Sequence, residues 1–331
     1  MSSSPTVLIS TNLPLPLFRR GKVRDVYGLG DKLLIVSTDR ISAFDVVLPC
    51  GIPDKGRVLN QLSAFWFEKT AHILPNHLIK VIDSVDILRD VIARAESPKQ
   101  SQGKRDSALT LETSLVGRSM LVAKAERIPV ECVVRGYLSG SAWAEYKETG
   151  NIGDIHLPQG MKEGQELSQP IFTPTTKSDT EHDRPLTNQD IKGLGIEGLF
   201  GELEQKSLLI YCYARDYAKR RGIIIADTKF EFGFINGQLA LIDELLTPDS
   251  SRFWDASQYE VGHSQPSFDK QPVRDWLLDS GWDKEPPAPM LPPEVIERTS
   301  ERYREVYRKL TGGVLKGKQN GDCQEKESQA A

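Results

Sequence analysis

The fold of residues 222–246 is the most tightly constrained by sequence. The run GIIIADTKFEFGFINGQLALIDELL places an Asn-Gly pair between two strand-like stretches, which is a strong short-range signal for a β-hairpin. Side chains alternate across a strand, so Asp227, Lys229 and Glu231 share one face, and Thr228 shares the other with two phenylalanines. The charged face is either a solvated surface of an antiparallel sheet or the floor of an ion or phosphate site.

The turn decides whether Asp243 can join Glu231. A two-residue Asn236-Gly237 turn pairs Glu231 with Ile242 and puts Asp243 on the phenylalanine face. A three-residue turn with a glycine bulge shifts the register by one and puts Asp243 on the charged face. The sequence favours the shorter turn, whereas a magnesium ion shared by the two carboxylates is expected to require the longer one.

The order of the predicted elements favours an α+β protein with two lobes. Two strands, Lys22–Tyr27 and Lys32–Thr38, are predicted around a Gly-Leu-Gly-Asp turn. Helical spacing of apolar residues predicts helices over 57–73, 198–222 and 292–313. Because strands and helices do not alternate regularly, a doubly wound sheet is not expected.

The predicted lobes are a β-rich one over 1–127 and a mixed α/β one over 128–311, followed by a disordered tail over 312–331. A polar, turn-rich segment at Ser97–Ala108 is expected to be an exposed insertion. The helix over 198–222 is expected to bury one side, made of Leu199, Leu203, Leu209, Tyr213 and Tyr217.

Composition limits the classes of function. The 331 residues carry a formal net charge of −4, so no general attraction to nucleic acid is expected. The four cysteines are scattered without a Cys-x-x-Cys pair, which argues against a zinc site or a disulfide framework and fits a reducing compartment. No signal peptide and no membrane-spanning run is predicted. The expected location is cytoplasmic.

A first candidate site lies near the N-terminus, in Gly21–Tyr27. A glycine before a strand with Lys22 and Arg24 on one face suits a phosphate cradle, although a plain basic hairpin explains the same residues. The pattern is neither a Walker loop nor a Rossmann fingerprint. The polar loop that follows the next strand, residues 37–45, ends at Asp45 and is either a small-molecule site or a capped turn.

Two further candidates lie between residues 128 and 187. In the first, Glu131 and Arg135 flank a strand that leads through a Ser-Gly-Ser turn to Ser141, which predicts an anion site at a helix start or an ordinary N-cap. The second is a long polar loop over 150–187, interpreted as a substrate-binding lid. Adjacent residues converge poorly on one metal, so zinc is not expected there. Its polar candidates are Lys177, Asp179, His182 and Asp183.

Together these motifs closely resemble the SAICAR synthetase family. The most specific pieces are IPVECVVR at 128–135 with Gly140-Ser141, and ADTKFEFG at 226–233; the likeness runs from about Arg20 to Trp254. Ser139 departs from the Thr or Ala that is commoner in the family. The insertion and the extended C-terminus look like those of the longer, single-function eukaryotic (fungal-type) forms.

The resemblance implies an ATP-dependent ligase of purine biosynthesis. The family joins the carboxylate of the aminoimidazole ribotide CAIR to the amine of L-aspartate through an acyl phosphate, with Mg²⁺. It also implies a two-lobed α+β fold, with an antiparallel N-terminal lobe resembling the nucleotide lobes of kinases and ATP-grasp enzymes. The ATP cleft then lies between that lobe and a mixed α/β C-terminal lobe.

Residue roles follow from the resemblance alone. The residues expected along ATP are Gly21, Lys22, Arg24, Lys124 and Glu131. Those expected to hold Mg²⁺ are Glu231 and Asp243, and the catalytic set is Asp227, Lys229 and Asp243. Those expected to bind CAIR or aspartate are Asp45, Arg135, Ser141, Lys177, Asp179, His182, Asp183 and Arg252.

Two alternatives stay open on the sequence. A small-molecule kinase would use the same ATP cleft and stop at a phosphoester. A non-catalytic nucleotide-binding protein is expected to have lost an acid or the lysine from the charged strand, yet Asp227, Lys229, Glu231 and Asp243 are all present. A monomer is expected, with small-molecule substrates and neither nucleic acid nor membrane as partner.

Overall fold

The computed structural model describes residues 7–95, 111–177 and 184–317. The predicted insertion at 97–108 lies outside these residues, and so do positions 318–331 of the predicted tail. The candidate residues Asp179, His182 and Asp183 also lie outside them.

Antiparallel strands and helices make up the described chain. The strands are β1 (Leu17–Arg20), β2 (Arg24–Leu29), β3 (Lys32–Ser37), β4 (Arg40–Ala43), β5 (Val46–Gly51), β6 (Leu78–Ile82), β7 (Ser119–Ala123), β8 (Glu126–Arg127), β9 (Val130–Tyr137), β10 (Asn151–Ile152), β11 (Ile155–His156), β12 (Glu166–Phe172), β13 (Thr175–Thr176), β14 (Ile223–Ile235), β15 (Gln238–Ile242) and β16 (Ser251–Asp255). The helices are α1 (Lys55–Thr70), α2 (Val85–Ala95), α3 (Gly140–Thr149), α4 (Asn188–Gly193), α5 (Glu197–Lys219), α6 (Gln271–Asp279) and α7 (Pro293–Thr311).

The first sheet has five strands in the order β1-β2-β3-β7-β6. The predicted β2–β3 hairpin is confirmed: Leu29 pairs with Lys32, and Gly30 in the turn has φ 71°, a conformation that glycine adopts at little cost. Strand β1 was not predicted. It is an edge strand with every residue exposed, so it lacks the apolar alternation from which strands are recognised.

The second sheet is built around the 13-residue strand β14. Its hydrogen-bonded order is β12-β9-β14-β15, and β16 and β8 also pair with β14. As the alternation predicts, Phe230 and Phe232 are buried in the main core, whereas Asp227, Lys229 and Glu231 line a cavity. The long strand therefore carries the core on one face and the candidate site on the other.

The β14–β15 hairpin has the two-residue turn that its sequence favours. Ile235 pairs with Gln238 and Glu231 with Ile242, and Asn236 and Gly237 have φ of 52° and 79°. The expectation that Asp243 can meet Glu231 only through a longer turn is therefore wrong.

Strand alternation does not govern Asp243, because β15 ends one residue before it. Asp243 itself has φ 66°, in the left-handed region that non-glycine residues enter at a cost. This change of backbone direction brings Asp243 to the cavity that Glu231 lines. The register of the hairpin alone does not predict this local change of backbone conformation.

The predicted buried side of helix α5 is confirmed at Leu203 and, partly buried against the main core, at Leu199, Tyr213 and Tyr217, but it is wrong at Leu209. Leu203 is fully buried as expected, but Leu209 is 48% exposed. The buried side continues through Ser207, Ile210, Tyr211 and Ala214, which keep the 3.6-residue period that Leu209 breaks. In α7, Tyr303, Val306 and Leu310 are buried.

Helix α1 packs against α7 and the first sheet. The proposed division at residue 127 remains a prediction, and β8 at Glu126–Arg127 hydrogen-bonds to β14 of the second sheet. Within the residues described, no helix has the length and apolar character needed to cross a membrane.

Candidate active site

A cavity of about 930 Å³ opens above the charged face of β14. Its wall is formed by β2, the β4–β5 turn, β9, the start of α3, and the segments 243–254 and 263–278. Polar groups from distant parts of the chain therefore face a single space. Three groups of charged residues can be distinguished along it.

At one end, Asp227 lies between two arginines. It accepts a hydrogen bond from Arg135 at 3.3 Å and another from Arg252. Arg135 also donates from Nε to Thr173 Oγ1 at 2.9 Å and from Nη2 to Ser141 Oγ at 3.2 Å. One carboxylate shared by two guanidinium groups leaves a net positive charge, which suits a phosphate or carboxylate ligand.

The backbone at the start of α3 approaches this cluster closely. Gly140 has φ 58°, and a Cβ atom placed on it would overlap the Arg252 guanidinium. Both the conformation and the space therefore favour glycine. Just before it, Ser139 is buried, lines the cavity, and has no hydrogen-bond partner for its Oγ among the described residues.

At the middle of the cavity, two carboxylates are each held by a cation. Asp243 accepts two hydrogen bonds of 2.5 Å from the guanidinium of Arg24. Glu231 is bound by the ammonium of Lys177, which also donates to Glu131 at 3.2 Å. Lys229 donates to the other oxygen of Glu131 at 2.6 Å. The structure thus brings together six of the predicted residues.

The two carboxylates differ in their proton affinity. Burial, followed by the charge of Asp243, raises the pKa of Glu231 above its ordinary value. Burial alone would raise the pKa of Asp243 as well, but Arg24 and Lys177 outweigh it and hold that pKa low. Adjacent carboxylates of this kind favour either a shared proton or a bound cation.

The donor chemistry of Glu231 and Asp243 fits Mg²⁺. This ion takes one or two protein carboxylates and completes its shell with phosphate oxygens and water. No set of three His, Cys, Asp or Glu side chains suited to a metal occurs in the described part of the chain. The site therefore fits a metal that arrives with a phosphate ligand better than a metal enclosed by protein alone.

Lys22 and Asp45 lie at the rim of the cavity. Their side chains are both exposed and form an ion pair of 2.6 Å. The described lining does not include Gly21 or Lys124. The Lys124 ammonium lies 5.1 Å from the ring centroid of Phe18, and Gly21 donates its backbone N–H to Arg24 O at 2.8 Å within the β1–β2 turn.

A third group of charged residues in the cavity was missed from the sequence. It comprises Asp249, Asp269, Lys270 and Arg274, all of which line the cavity. The stretch FDKQPVR at 268–274 carries one acidic and two basic residues across the start of α6, which is a weak signal for a site. The fold brings this stretch to the cavity from beyond Trp254, where the family resemblance in the sequence ends.

Relatives of this chain share one family. A family model described as SAICAR synthetase matches residues 17–289. The phosphoribosylaminoimidazole-succinocarboxamide synthase of Thermodesulfovibrio yellowstonii is 50% identical over 306 residues, 92% of this chain and 99% of that protein. The protein of the same description from Syntrophobacter fumaroxidans is 48% identical over 319 residues, 96% of this chain and 100% of that protein.

Solved structures agree with these relatives. The SAICAR-synthase from Saccharomyces cerevisiae, in complex with SAICAR, has a TM-score of 0.80 and 42% identity, covering 93% of this chain and 99% of that one. A SAICAR synthetase (Type-2) in complex with ADP has a TM-score of 0.63 and 26% identity, covering 89% of this chain and 98% of that one.

The expected likeness to the fungal-type form is not supported, because both curated relatives are bacterial and more similar to this chain than the yeast structure is. The family itself is well supported. A model match over residues 17–289 and about half identity over nearly the whole length lead to one conclusion: the chain belongs to the SAICAR synthetase family.

Proposed function

We propose that this protein is a carbon–nitrogen ligase that uses ATP to join the carboxylate of CAIR to the amine of L-aspartate. The products are SAICAR, ADP and phosphate, in purine biosynthesis. The observation that carries the proposal is one cavity with a two-arginine anion cluster at one end and a carboxylate pair in the middle. The chain that forms this cavity is 50% identical to a phosphoribosylaminoimidazole-succinocarboxamide synthase. The yeast relative, solved in complex with SAICAR, supports the proposed product.

The chemistry requires activation of a poor electrophile. A carboxylate resists attack because its oxygen is a poor leaving group, and transfer of the γ-phosphoryl group of ATP to that oxygen gives an acyl phosphate. The aspartate amine then attacks the carbonyl carbon, and phosphate leaves. Positioning and charge neutralisation are what the protein contributes to such a transfer.

The anion cluster is proposed to bind the 5′-phosphate of CAIR. Arg135 and Arg252 offer guanidinium donors, and Ser141 adds a hydroxyl next to the start of α3. Asp227 fixes both guanidinium groups in one orientation. Because these side chains already hold one another, little ordering is needed when an anion binds.

The nucleotide is proposed to enter on the side of β2, and the solved relative in complex with ADP supports nucleotide binding as such. Lys22 and Arg24 would then contact its phosphates, and Lys229 would neutralise the phosphoryl group in transfer. Glu131 holds Lys229 at 2.6 Å and so orients it. Gly21 and Lys124 stay proposed ATP contacts on the family resemblance alone.

Glu231 and Asp243 are proposed to hold Mg²⁺. When bound, the ion would neutralise charge on the phosphates of ATP. Arg24 and Lys177 neutralise the same two carboxylates in this structure. Both side chains would have to change partners for the carboxylates to act as ligands.

The aspartate side of the cavity is proposed to include Asp45 and Lys177. Asp179, His182 and Asp183 remain candidates for it from the sequence. A cytoplasmic location is proposed because Cys50, Cys132 and Cys212 are free thiols. We also propose that the protein is a monomer, which sedimentation would test. The proposed lobe division at residue 127 can be tested by limited proteolysis.

The test is a coupled assay of ADP release. ATP, CAIR and L-aspartate are supplied together and then each is omitted in turn, with SAICAR identified by mass. Turnover that needs all three substrates and yields SAICAR supports the ligase. ADP release that is independent of L-aspartate, with a stable phosphoester as product, contradicts it.

A further inference from the structure

Lys55 is a buried cation at the first residue of α1. Its side chain has no exposed surface, and its ammonium lies 2.6 Å from Oδ2 of Asp249. Tyr303 of α7 donates its hydroxyl to Oδ1 of the same carboxylate at 2.7 Å. An ammonium buried without a partner would destabilise the fold by several kcal/mol. The carboxylate of Asp249 is therefore fixed from behind by two elements.

The other side of Asp249 belongs to the cavity. The residue lines it next to Pro248, Ser250 and Lys270. Burial alone would raise the pKa of Asp249, but Lys55, and after it Lys270, outweigh burial and hold that pKa below its usual range. Asp249 thus interacts with one cation behind the cavity wall and one cation in the wall.

Lys270 differs from Lys55 in having no bound partner. No carboxylate in the described ranges of the chain lies within ion-pair distance of its ammonium, although the residue faces the cavity. Arg274, one helical turn further along, lines the same part of the wall. Asp269, beside Lys270, interacts electrostatically with Arg274, so Lys270 is the cation of this pair that is suited to an anionic group of a ligand.

We propose that Lys55 is a positioning residue for the ligation: it neutralises Asp249 from behind the cavity wall and so leaves the Lys270 ammonium free for a carboxylate of the substrate. This inference rests on the proposed function, because CAIR and L-aspartate are the carboxylates in question. Without the charge of Lys55, Asp249 keeps Lys270 as its remaining cation and competes with the substrate for it.

A purely structural role for Lys55 predicts a different result. If the pair only braced the loop over residues 247–251, a second substitution at Asp249 would leave the loop as badly placed as before, or worse. If charge is decisive, removing the competing carboxylate restores Lys270 to the substrate. The double variant therefore separates the two roles, as an interaction between neighbouring sites should.

The experiment compares four variants with the wild type. KM values for CAIR, L-aspartate and ATP are measured separately, because either carboxylate substrate can be the ligand of Lys270. We expect Lys55→Met to raise the KM of one carboxylate substrate by about tenfold or more and that of ATP by less than about threefold. The double variant Lys55→Met/Asp249→Asn is expected to return to within about threefold of the wild type.

Two of the four variants are controls. Tyr303→Phe removes a hydrogen bond to Asp249 but no charge, so we expect a lower melting temperature with unchanged KM values. Lys69→Met removes a lysine from the last turn of the same helix, where its ammonium lies over Phe65, and is expected to match the wild type throughout. A KM increase in Tyr303→Phe equal to that in Lys55→Met would overturn the charge argument.

The role of Lys55 can be tested separately from the proposed ligase activity. Calorimetric titration with CAIR and with succinate, a dicarboxylate, gives the same comparison without turnover. Carboxylate binding that Lys55→Met leaves unchanged, or a double variant no better than Lys55→Met, overturns the inference even if the ligase is active. If Lys55→Met does not fold, Lys270→Met carries the test, and normal carboxylate affinity in that variant is equally decisive against the inference.

Discussion

Arg24 and Asp243 lie 219 residues apart in the chain and form a doubly hydrogen-bonded ion pair, with both N–O distances 2.5 Å. The pair joins the first sheet to the residue that follows β15 in the second. It also fixes the orientation of a carboxylate that we propose as a metal ligand. Breaking it should therefore affect stability and metal response together.

Arg24→Met is predicted to lower the free energy of unfolding of the metal-free protein by about 2 kcal/mol. The loss is smaller than for a fully buried pair because the Asp243 side chain is 27% exposed. Since Mg²⁺ would neutralise the uncompensated carboxylate, its addition should stabilise the variant more than the wild type. Urea unfolding with and without Mg²⁺ measures this. Equal stabilisation of both proteins would contradict the metal assignment.

Glu231→Gln and Lys229→Ala are each predicted to abolish ligation and leave the fold intact. Glu231 lies on the cavity side of β14, and the Lys229 side chain is half exposed, so neither change opens the core. Turnover with CAIR, L-aspartate and ATP is compared with that of Lys80→Ala, at an exposed position on β6. Near-normal turnover in either variant would show that the site assignment is wrong.

Gly140→Ala is predicted to weaken CAIR binding strongly. The added Cβ would overlap the Arg252 guanidinium and displace it from Asp227. Gly150→Ala is the matched control, because Gly150 also has positive φ but open space around it. Both variants should lose roughly 1 kcal/mol from backbone strain, and only Gly140→Ala should raise the KM for CAIR, by at least about tenfold. Similar KM values in the two variants would argue against an anion site here.

The thiol of Cys132 is predicted to be unreactive in the native protein. Burial raises its pKa to about 12, so almost no thiolate exists near neutral pH, and the side chain is part of the main core. Cys50 and Cys212 are only partly buried. Alkylation at pH 8, followed by peptide mapping, should label Cys132 only after unfolding. Labelling as fast as that of Cys212 would mean that this part of the core opens readily.

Local patterns in the sequence predicted the secondary structure around the site well. The alternation in DTKFEFG identified the cavity face of β14, and the Asn-Gly pair identified its turn. The pattern failed at Asp243 because a single left-handed residue reverses the expected direction. Such a conformation depends on tertiary partners, here Arg24, which periodicity does not contain.

The burial of polar residues inside helix α1 also could not be predicted from local periodicity. Asn60 and Gln61 weaken the apolar pattern of the predicted helix, yet both are buried. Each donates its side-chain amide to the backbone oxygen of Gly117, at 3.1 and 3.0 Å. A buried amide that donates to a backbone oxygen is compatible with a core, but the acceptor is more than 50 residues away and cannot be identified from local spacing.

Strand β14 also fixes the distance between two charged groups of the cavity. Asp227, at the anion end, and Glu231, in the carboxylate pair, stand four residues apart on this one strand, a span of about 13 Å at roughly 3.3 Å per residue. A one-residue insertion between them would turn one side chain into the core, so the span cannot be lengthened in small steps. The length of the strand therefore limits the ligands that can reach both groups at once, whatever the surrounding loops become.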